Sequence, residues 1–523
     1  MLSQDVKRST GRGSAMEDDV LGEDYSFPAA KQSSNVVRRR LALLIIVLFT
    51  ACLDPAAAPI DLPPGTSWTV RRENARSGAV DWDAGLYATN DSRVKGFVLP
   101  FSAIAGDTLH LFVSAWSTTV ATSLYRLGWY DGMGARLVAR HIGRAVVKQS
   151  PCSAPVPGPS ICDWAETDRF VIDAGWVPGV YLAKFADNAG GAHAVPFIVR
   201  SSHYGPLLVI MPFATYQAYN DWNGTSLYVG LDSLGKPSRA YRAFKVSFAR
   251  PLAHGTLKAH FLGLDYLLVR WLEQNAYDVT YIADYDFHLG RGADPQARAW
   301  LFAGHSEYWT WPMWSRAIAG RAQGIGLGFL GGNDIYWTIR FENSPIRGLD
   351  APVVVCYRDT LLDPQGEVPG LATVPFRSKP NNTPENGLVG VMTVPPAEIL
   401  NPPVDLVVAN GSDPLFAGTG LSTGEHIQQA LGWEGDRLVN NGSTPPGVRV
   451  LFQSSYTPLY GTAHTALLQG TVYVWPTGNM VYASGDVGFA WGLSTYGQHV
   501  ANPGLQAFLK NVLRAFVEGP GPK

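Results

Sequence analysis

After Pro206 short apolar runs alternate with helix-like segments, and this alternation constrains the fold more than any other feature of the chain. LLVIMP (207–212) reads as a buried strand, LDYLLVRWLEQN (264–275) as an amphipathic helix and DVTYIAD (278–284) as a strand. AWLFAG (299–304) is another strand, followed by a helix from Thr310 to about Gln323 and the strand GLGFLGG (326–332). Continuous apolar strands separated by helices predict a mostly parallel sheet covered on both faces. In such sheets ligands sit outside the carboxyl ends of the strands. Glu307 in GHSEYWTW (304–311) and Asn333 in GGNDIYW (331–337) therefore fall at neighbouring sheet ends if their two strands are adjacent.

Upstream the pattern differs. From about 67 to 201 short β-type runs such as KGFVLPF, DTLHLFVSAW, SLYRLGWY and GVYLAKFAD are broken by Gly, Asp and Asn, which predicts an antiparallel sandwich. The expected fold class is thus α/β plus all-β. A β-sandwich over 67–201 precedes a three-layer α/β domain over 202–519, of the flavodoxin-like or glutamine-amidotransferase-like kind. Residues 357–447, rich in Pro, Gly and Asn, read as an irregular cap inserted into that domain, because so long an aperiodic stretch is more often functional than a plain connection. A closing helix, with Asn502 as N-cap and Pro503 at the first turn, carries the apolar stripe Leu505, Phe508, Leu509, Val512 and Phe516.

Residues 1–52 carry Arg38, Arg39 and Arg40 and then the apolar run LALLIIVLFTA up to Cys52, an export segment too short to span a bilayer comfortably. LFTAC is similar to a lipobox, which would make Cys52 a lipidated N-terminus. A cleaved signal peptide or a retained anchor are the other readings, and all three export the chain to the cell envelope or beyond. Residues 53–66 form a Pro/Ala linker. Cys152 and Cys162 bracket a Pro/Ser loop and could pair in an oxidising compartment, leaving Cys356 as a buried small hydrophobe. With 41 basic against 43 acidic residues and no long run of either sign, no footprint for nucleic acid appears. The absence of CxxC and HExxH argues against thiolate zinc sites and zincin-type proteases. Small neutral ligands, a membrane contact through the anchor and self-association stay open.

Two further stretches stand out: TYQAYNDWNGTSLY (215–228), read as a polar loop carrying Tyr216, Tyr219 and Tyr228, and GWEGD (432–436), with Glu434 in the cap. The bland account is packing aromatics and solvated acids. RLGWYDGMGARLV (126–138), PFATYQAYNDWNGTSLY (212–228), VSFARP (246–251), GHSEYWTWPM (304–313), GGNDIYW and LGWEGD (431–436) together resemble, in order, the large subunit of N,N-dimethylformamidase and related exported proteins. That resemblance implies hydrolysis of a small amide-like substrate at a mononuclear ferric iron held by two tyrosinates and a glutamate. Motif by motif, Tyr219, Tyr228 and Glu307 look like the ligands, and His305, Asn333 and Glu434 look like the nearby catalytic groups. Tyr216 is the substitute phenol, and the connection between Tyr219 and Tyr228 is much shorter here than in the formamidase.

The implied chemistry is coherent. A phenol with a pKa of about 10 loses its proton only to a highly charged cation, so two Tyr and one Glu suit a hard Lewis acid. Such an ion polarises a carbonyl and acidifies a water, with His305 or Glu434 moving the proton and Asn333 donating to the oxyanion. Two competing expectations are weighed against it. One is a serine hydrolase using Ser306, although Tyr308 stands where a nucleophile elbow needs its second glycine. The other is a non-catalytic surface protein whose aromatic clefts bind a glycan, which the 16 tryptophans would serve.

Overall fold

The computed structural model describes residues 63–86, 93–153, 158–202, 205–292, 296–393, 400–458 and 465–519. The expectations for the export segment and for Cys52 lie outside the described residues.

Alternating strands of the N-terminal part form two sheets. Val94–Leu99, Thr108–Ala115 and Asp168–Val171 make an antiparallel sheet of three. Ser102–Ala103, Ala192–Val199, Gly179–Ala186, Thr119–Leu127 and Ala135–Ala145 make one of five, antiparallel except at its first pair. Phe97, Leu111, Leu124, Leu182 and Phe197 are buried in one core between them. Cys152 and Cys162 are joined in a disulfide beside these sheets, and Cys356 is buried and free.

The C-terminal part is built on seven strands: β1 (Leu207–Met211), β2 (Val279–Ala283), β3 (Ala299–Gly304), β4 (Gly326–Gly331), β5 (Arg449–Tyr456), β6 (Ala466–Val474) and β7 (Met480–Ala483). Their order is β2-β1-β3-β4-β7-β6-β5, parallel from β2 to β7 and antiparallel at β6 and β5. β1 shows why continuous apolar strands are needed. Leu207, Val209 and Met211 enter the core shared with the helices Tyr266–Gln274 and Pro503–Glu518, whereas Leu208 and Ile210 enter the core under the helix Trp311–Ala322. Both faces are therefore covered. The C-terminal helix starts as expected, with Asn502 Oδ1 accepting from Leu505 N at 2.9 Å.

The N-terminal sheets are tied to this domain by charge as well as packing. Arg126, fully buried, donates to both carboxylate oxygens of Glu273 at 2.9 Å each. A bidentate buried pair with its remaining donors satisfied fixes one docking geometry.

Three local expectations need correction. TYQAYND does not start as a loop: Phe213–Tyr219 is a helix, because Phe213 and Tyr216 find an apolar bed there. The segment before Tyr266 is a wide π-helical stretch, Leu257–Asp265, which shifts the helix start. Residues 357–447 are also more regular than their composition implies, since Leu400–Val407 and His426–Trp433 pair as an antiparallel ribbon.

Candidate functional site

The site is positioned by the meeting of β3 and β4. They are adjacent and in register, Gly304 opposite Gly331, so the stretches after them leave the sheet side by side. The approach is close enough that a Cβ on Gly331 would stand 1.4 Å from the Gly304 carbonyl oxygen, and Gly304 itself has φ +50°. Both positions need glycine. Beyond them, Ile335 N donates to Ser306 O at 2.9 Å and Trp337 N to Glu307 O at 3.0 Å. Glu307 N donates to Thr215 Oγ1 at 3.3 Å. Asn333 (φ 49°) and Ile335 (φ 62°) are held in the left-handed region, which a β-branched residue adopts only under constraint. Such strain clusters where structure serves a site.

The two tyrosines arrive by different routes and meet. Tyr219 ends the helix Phe213–Tyr219; the chain then turns and Leu227 N donates back to Ala218 O at 3.0 Å. Ser226 Oγ accepts from Tyr228 N at 3.1 Å, closing the turn. The short connection thus brings the phenols together, with ring centroids 4.4 Å apart.

Tyr219 Oη donates to Glu307 Oε2 at 3.0 Å. Tyr228 Oη lies 2.9 Å from Tyr219 Oη and 3.0 and 3.1 Å from the two Glu307 oxygens. His305 Nε2 stands 3.4 Å from Glu307 Oε2 and 3.4 Å from Glu434 Oε2. Asn333 Nδ2 donates to Glu434 Oε2 at 2.5 Å, leaving its second N–H, and Asn333 N donates to Asp436 at 3.0 Å. All six candidate residues are therefore in one cluster, with Glu307, His305, Asn333 and Glu434 buried.

Burial dominates the electrostatics. It pushes the Glu307 carboxyl up to about 7, against the pull of charged His305. It also drives the Tyr219 and Tyr228 phenols well above their ordinary range, with the Glu307 charge adding to it. For His305 burial works downward, but the carboxylates of Glu434 and Glu307 outweigh it and raise the imidazole to about 9. Glu434 is the reverse: burial pushes it up, and charged His305 with the Asn333 hydrogen bond holds it below the usual carboxylate range. Carboxylates pushed apart in this way are how a site divides acid from base.

Two candidates fall outside the cluster. Tyr216 Oη donates to buried Asp265 rather than to Glu307. Ser306 Oγ accepts from Trp309 Nε1 at 2.9 Å, and His305 Nε2 faces Glu307 and Glu434 rather than Ser306, so the pairing a serine nucleophile requires is missing. Among the described residues a cavity of about 30 Å³ lies behind the Phe213–Tyr219 helix, against Phe97, Tyr216 and Arg250, and none of the six residues lines it.

Sequence reasoning missed three neighbours. Tyr308, next to Glu307, donates to Tyr228 Oη at 2.7 Å. Arg358 donates to Tyr308 Oη at 2.5 Å. His260, on the π-helical stretch, lies against Tyr219 and parallel to His305, with ring centroids 4.4 and 5.9 Å away. Tyr308 was readable from its place in GHSEYW; Arg358 and His260 carry no local signal.

Three hard oxygens, anionic once deprotonated, stand 2.9–3.1 Å from one another. Such oxygens converge on one point and, with their protons lost, suit a small hard cation by charge and hardness. Among the described residues no group of three or more His, Cys, Asp or Glu is arranged to hold a metal, so the fit depends on the two phenols.

Fold and site together define a mixed α/β protein with a buried acid–base cluster outside the carboxyl ends of its parallel strands. The family model described as N,N-dimethylformamidase beta subunit-like, C-terminal, matches residues 121–502. The chain belongs to this family. No curated protein matches it.

Proposed function

We propose that the protein is an exported metal-dependent hydrolase that cleaves the C–N bond of a small amide, with ferric iron held by Tyr219, Tyr228 and Glu307. The carrying observation is the convergence of those three side-chain oxygens within 2.9–3.1 Å of one another, with His305 joining Glu307 to Glu434. The N,N-dimethylformamidase-like family supports hydrolysis of a small amide. The fold that supports it is read as a β-sandwich set against a flavodoxin-like sheet.

The chemistry such an ion supplies is Lewis acidity toward a carbonyl oxygen and a water. The chain's own residues handle the protons. His305, raised to about 9, carries a proton on Nε2 at neutral pH and donates it to the departing amine nitrogen. Glu434, ionised and held by Asn333, takes the proton released by the attacking water. The 3.4 Å approach of Glu434 Oε2 to His305 Nε2 then returns that proton to the imidazole. The second N–H of Asn333 is left for the oxyanion of the tetrahedral intermediate. Export is supported by the Cys152–Cys162 disulfide, since such bonds persist in oxidising compartments, and a lipid on Cys52 or a retained signal anchor is proposed to hold the protein at the membrane.

The test is the iron content and visible spectrum of the purified protein, with amine release from N,N-dimethylformamide and other small amides. Wild type should hold one iron, show a tyrosinate-to-iron band and release amine. Glu307→Ala should lose all three and Ser306→Ala should keep them. Wild-type protein without stoichiometric iron and without the band would defeat the reading.

A further inference from the structure

The three proposed ligand oxygens do not have equal surroundings. Tyr228 Oη receives a hydrogen bond from Tyr308 Oη at 2.7 Å, and Tyr308 Oη receives one from Arg358 Nη2 at 2.5 Å. The Arg358 guanidinium also lies over the Tyr228 ring, 3.9 Å from its centroid, and is backed by the Trp337 ring at 4.6 Å. Tyr219 has other neighbours: Tyr228 Oη donates to its hydroxyl at 2.9 Å, and the imidazoles of His260 and of charged His305 lie against its ring, with centroids 4.4 and 5.5 Å away.

This arrangement is held from outside the cluster. Tyr308 is buried and starts the short strand Tyr308–Thr310, paired in register with Trp337. Arg358 has φ +60°, a left-handed backbone that arginine rarely adopts, and its N–H donates to Thr373 O at 2.9 Å. Without that backbone turn the chain after Val355 would carry the guanidinium elsewhere. Arginine suits the place because its planar group can stack on a ring and donate from its edge at once, which a lysine ammonium cannot do.

We propose that Tyr308 and Arg358 are positioning residues that set the donor strength of the Tyr228 oxygen and make the two phenolate ligands unequal. This rests on the iron reading above. A hydrogen bond into the phenolate oxygen and a cation over its ring both withdraw electron density from Tyr228. Tyr228 is then a weaker donor than the same phenolate without Tyr308 and Arg358, and would leave a bound ion the more acidic toward a carbonyl.

The experiment compares wild type, Tyr308→Phe, Arg358→Met and Arg358→Lys in the full chain with ferric iron supplied in excess. Iron binding is measured by titration and the tyrosinate-to-iron band by visible spectroscopy. Tyr308→Phe keeps the ring and removes the donor; its band should move to longer wavelength, and its iron affinity at neutral pH should fall about 10-fold, the worth of one pH unit, because the unassisted Tyr228 phenol holds its proton more tightly against the ion. Arg358→Met should move the band the same way, and Arg358→Lys, which keeps the charge but not the stack, should fall between. Iron affinity lost with the band of the loaded protein unmoved would overturn the proposal, because a merely structural role predicts that result. Wild-type protein that holds no iron would overturn both this proposal and the functional reading. A wild-type band with no shift in either Tyr308→Phe or Arg358→Met would overturn this one alone.

Discussion

His305 is the group whose charge most directly reports the layout of the site, and Glu434→Gln is the change that isolates it. Glu434 Oε2 and Glu307 Oε2 each stand 3.4 Å from Nε2, and Glu434 contributes most to raising the imidazole to about 9. At 3.4 Å and an effective dielectric constant of about 20, the attraction is about 5 kcal/mol. At about 1.4 kcal/mol per pH unit this is a ceiling of about 3.5 units. Gln keeps the shape and a dipole but not the charge, so His305 should fall from about 9 to roughly 6. A raised imidazole contributes stability that is fully present below its ordinary 6.5 and is lost as pH rises through about 9. Glu434→Gln should therefore be less stable than wild type at pH 6, and the gap should close toward pH 9 and above. The assay is NMR titration of isotope-labelled metal-free protein, with His305 assigned through His305→Gln, and urea unfolding at several pH values. A His305 resonance in Glu434→Gln that still titrates near 9 would refute the electrostatic account of the site.

Three further outcomes are expected. Burial holds the Asp265 carboxyl up at about 7, so its stabilising protonated form is complete below its ordinary 3.8 and lost as pH rises through 7; Asp265→Asn should gain stability relative to wild type between pH 5 and pH 8, read by thermal unfolding. Gly331→Ala should cost at least about 3 kcal/mol in urea unfolding, because the new Cβ meets the Gly304 carbonyl where backbone cannot yield; a cost under about 1 kcal/mol would mean that β3 and β4 are not in this register. Replacing Cys152 and Cys162 together by Ser should lower stability by about 2–3 kcal/mol, the loop-closure value for so short a loop, and an unchanged unfolding midpoint would count against a native pairing.

How much of the site is legible without coordinates depends on what fixes each residue. His305, Glu307 and Asn333 sit one to three residues beyond periodic apolar strands, so chain continuity alone carries them to the carboxyl edge of the sheet. Tyr219 and Tyr228 are not placed by periodicity; they were reached through motif resemblance, and the physical reason they meet is the hydrogen bond from Leu227 N to Ala218 O. The helix Phe213–Tyr219 is hidden in the sequence because it has only seven residues, among them Thr215 and three aromatics of weak helix propensity, and tertiary burial rather than local propensity makes it helical. Glu434 is fixed by a bridge between Gly435 and Asp486, some fifty residues apart and beyond any local pattern. Arg358 is the extreme case. It follows a predictable apolar strand, yet a left-handed backbone decides that its guanidinium lies over Tyr228, and non-glycine residues in that conformation announce nothing in a sequence. The residues that hold and tune a site can thus be less legible than those that compose it, because the former act through backbone irregularity and long-range contact while the latter ride on regular elements.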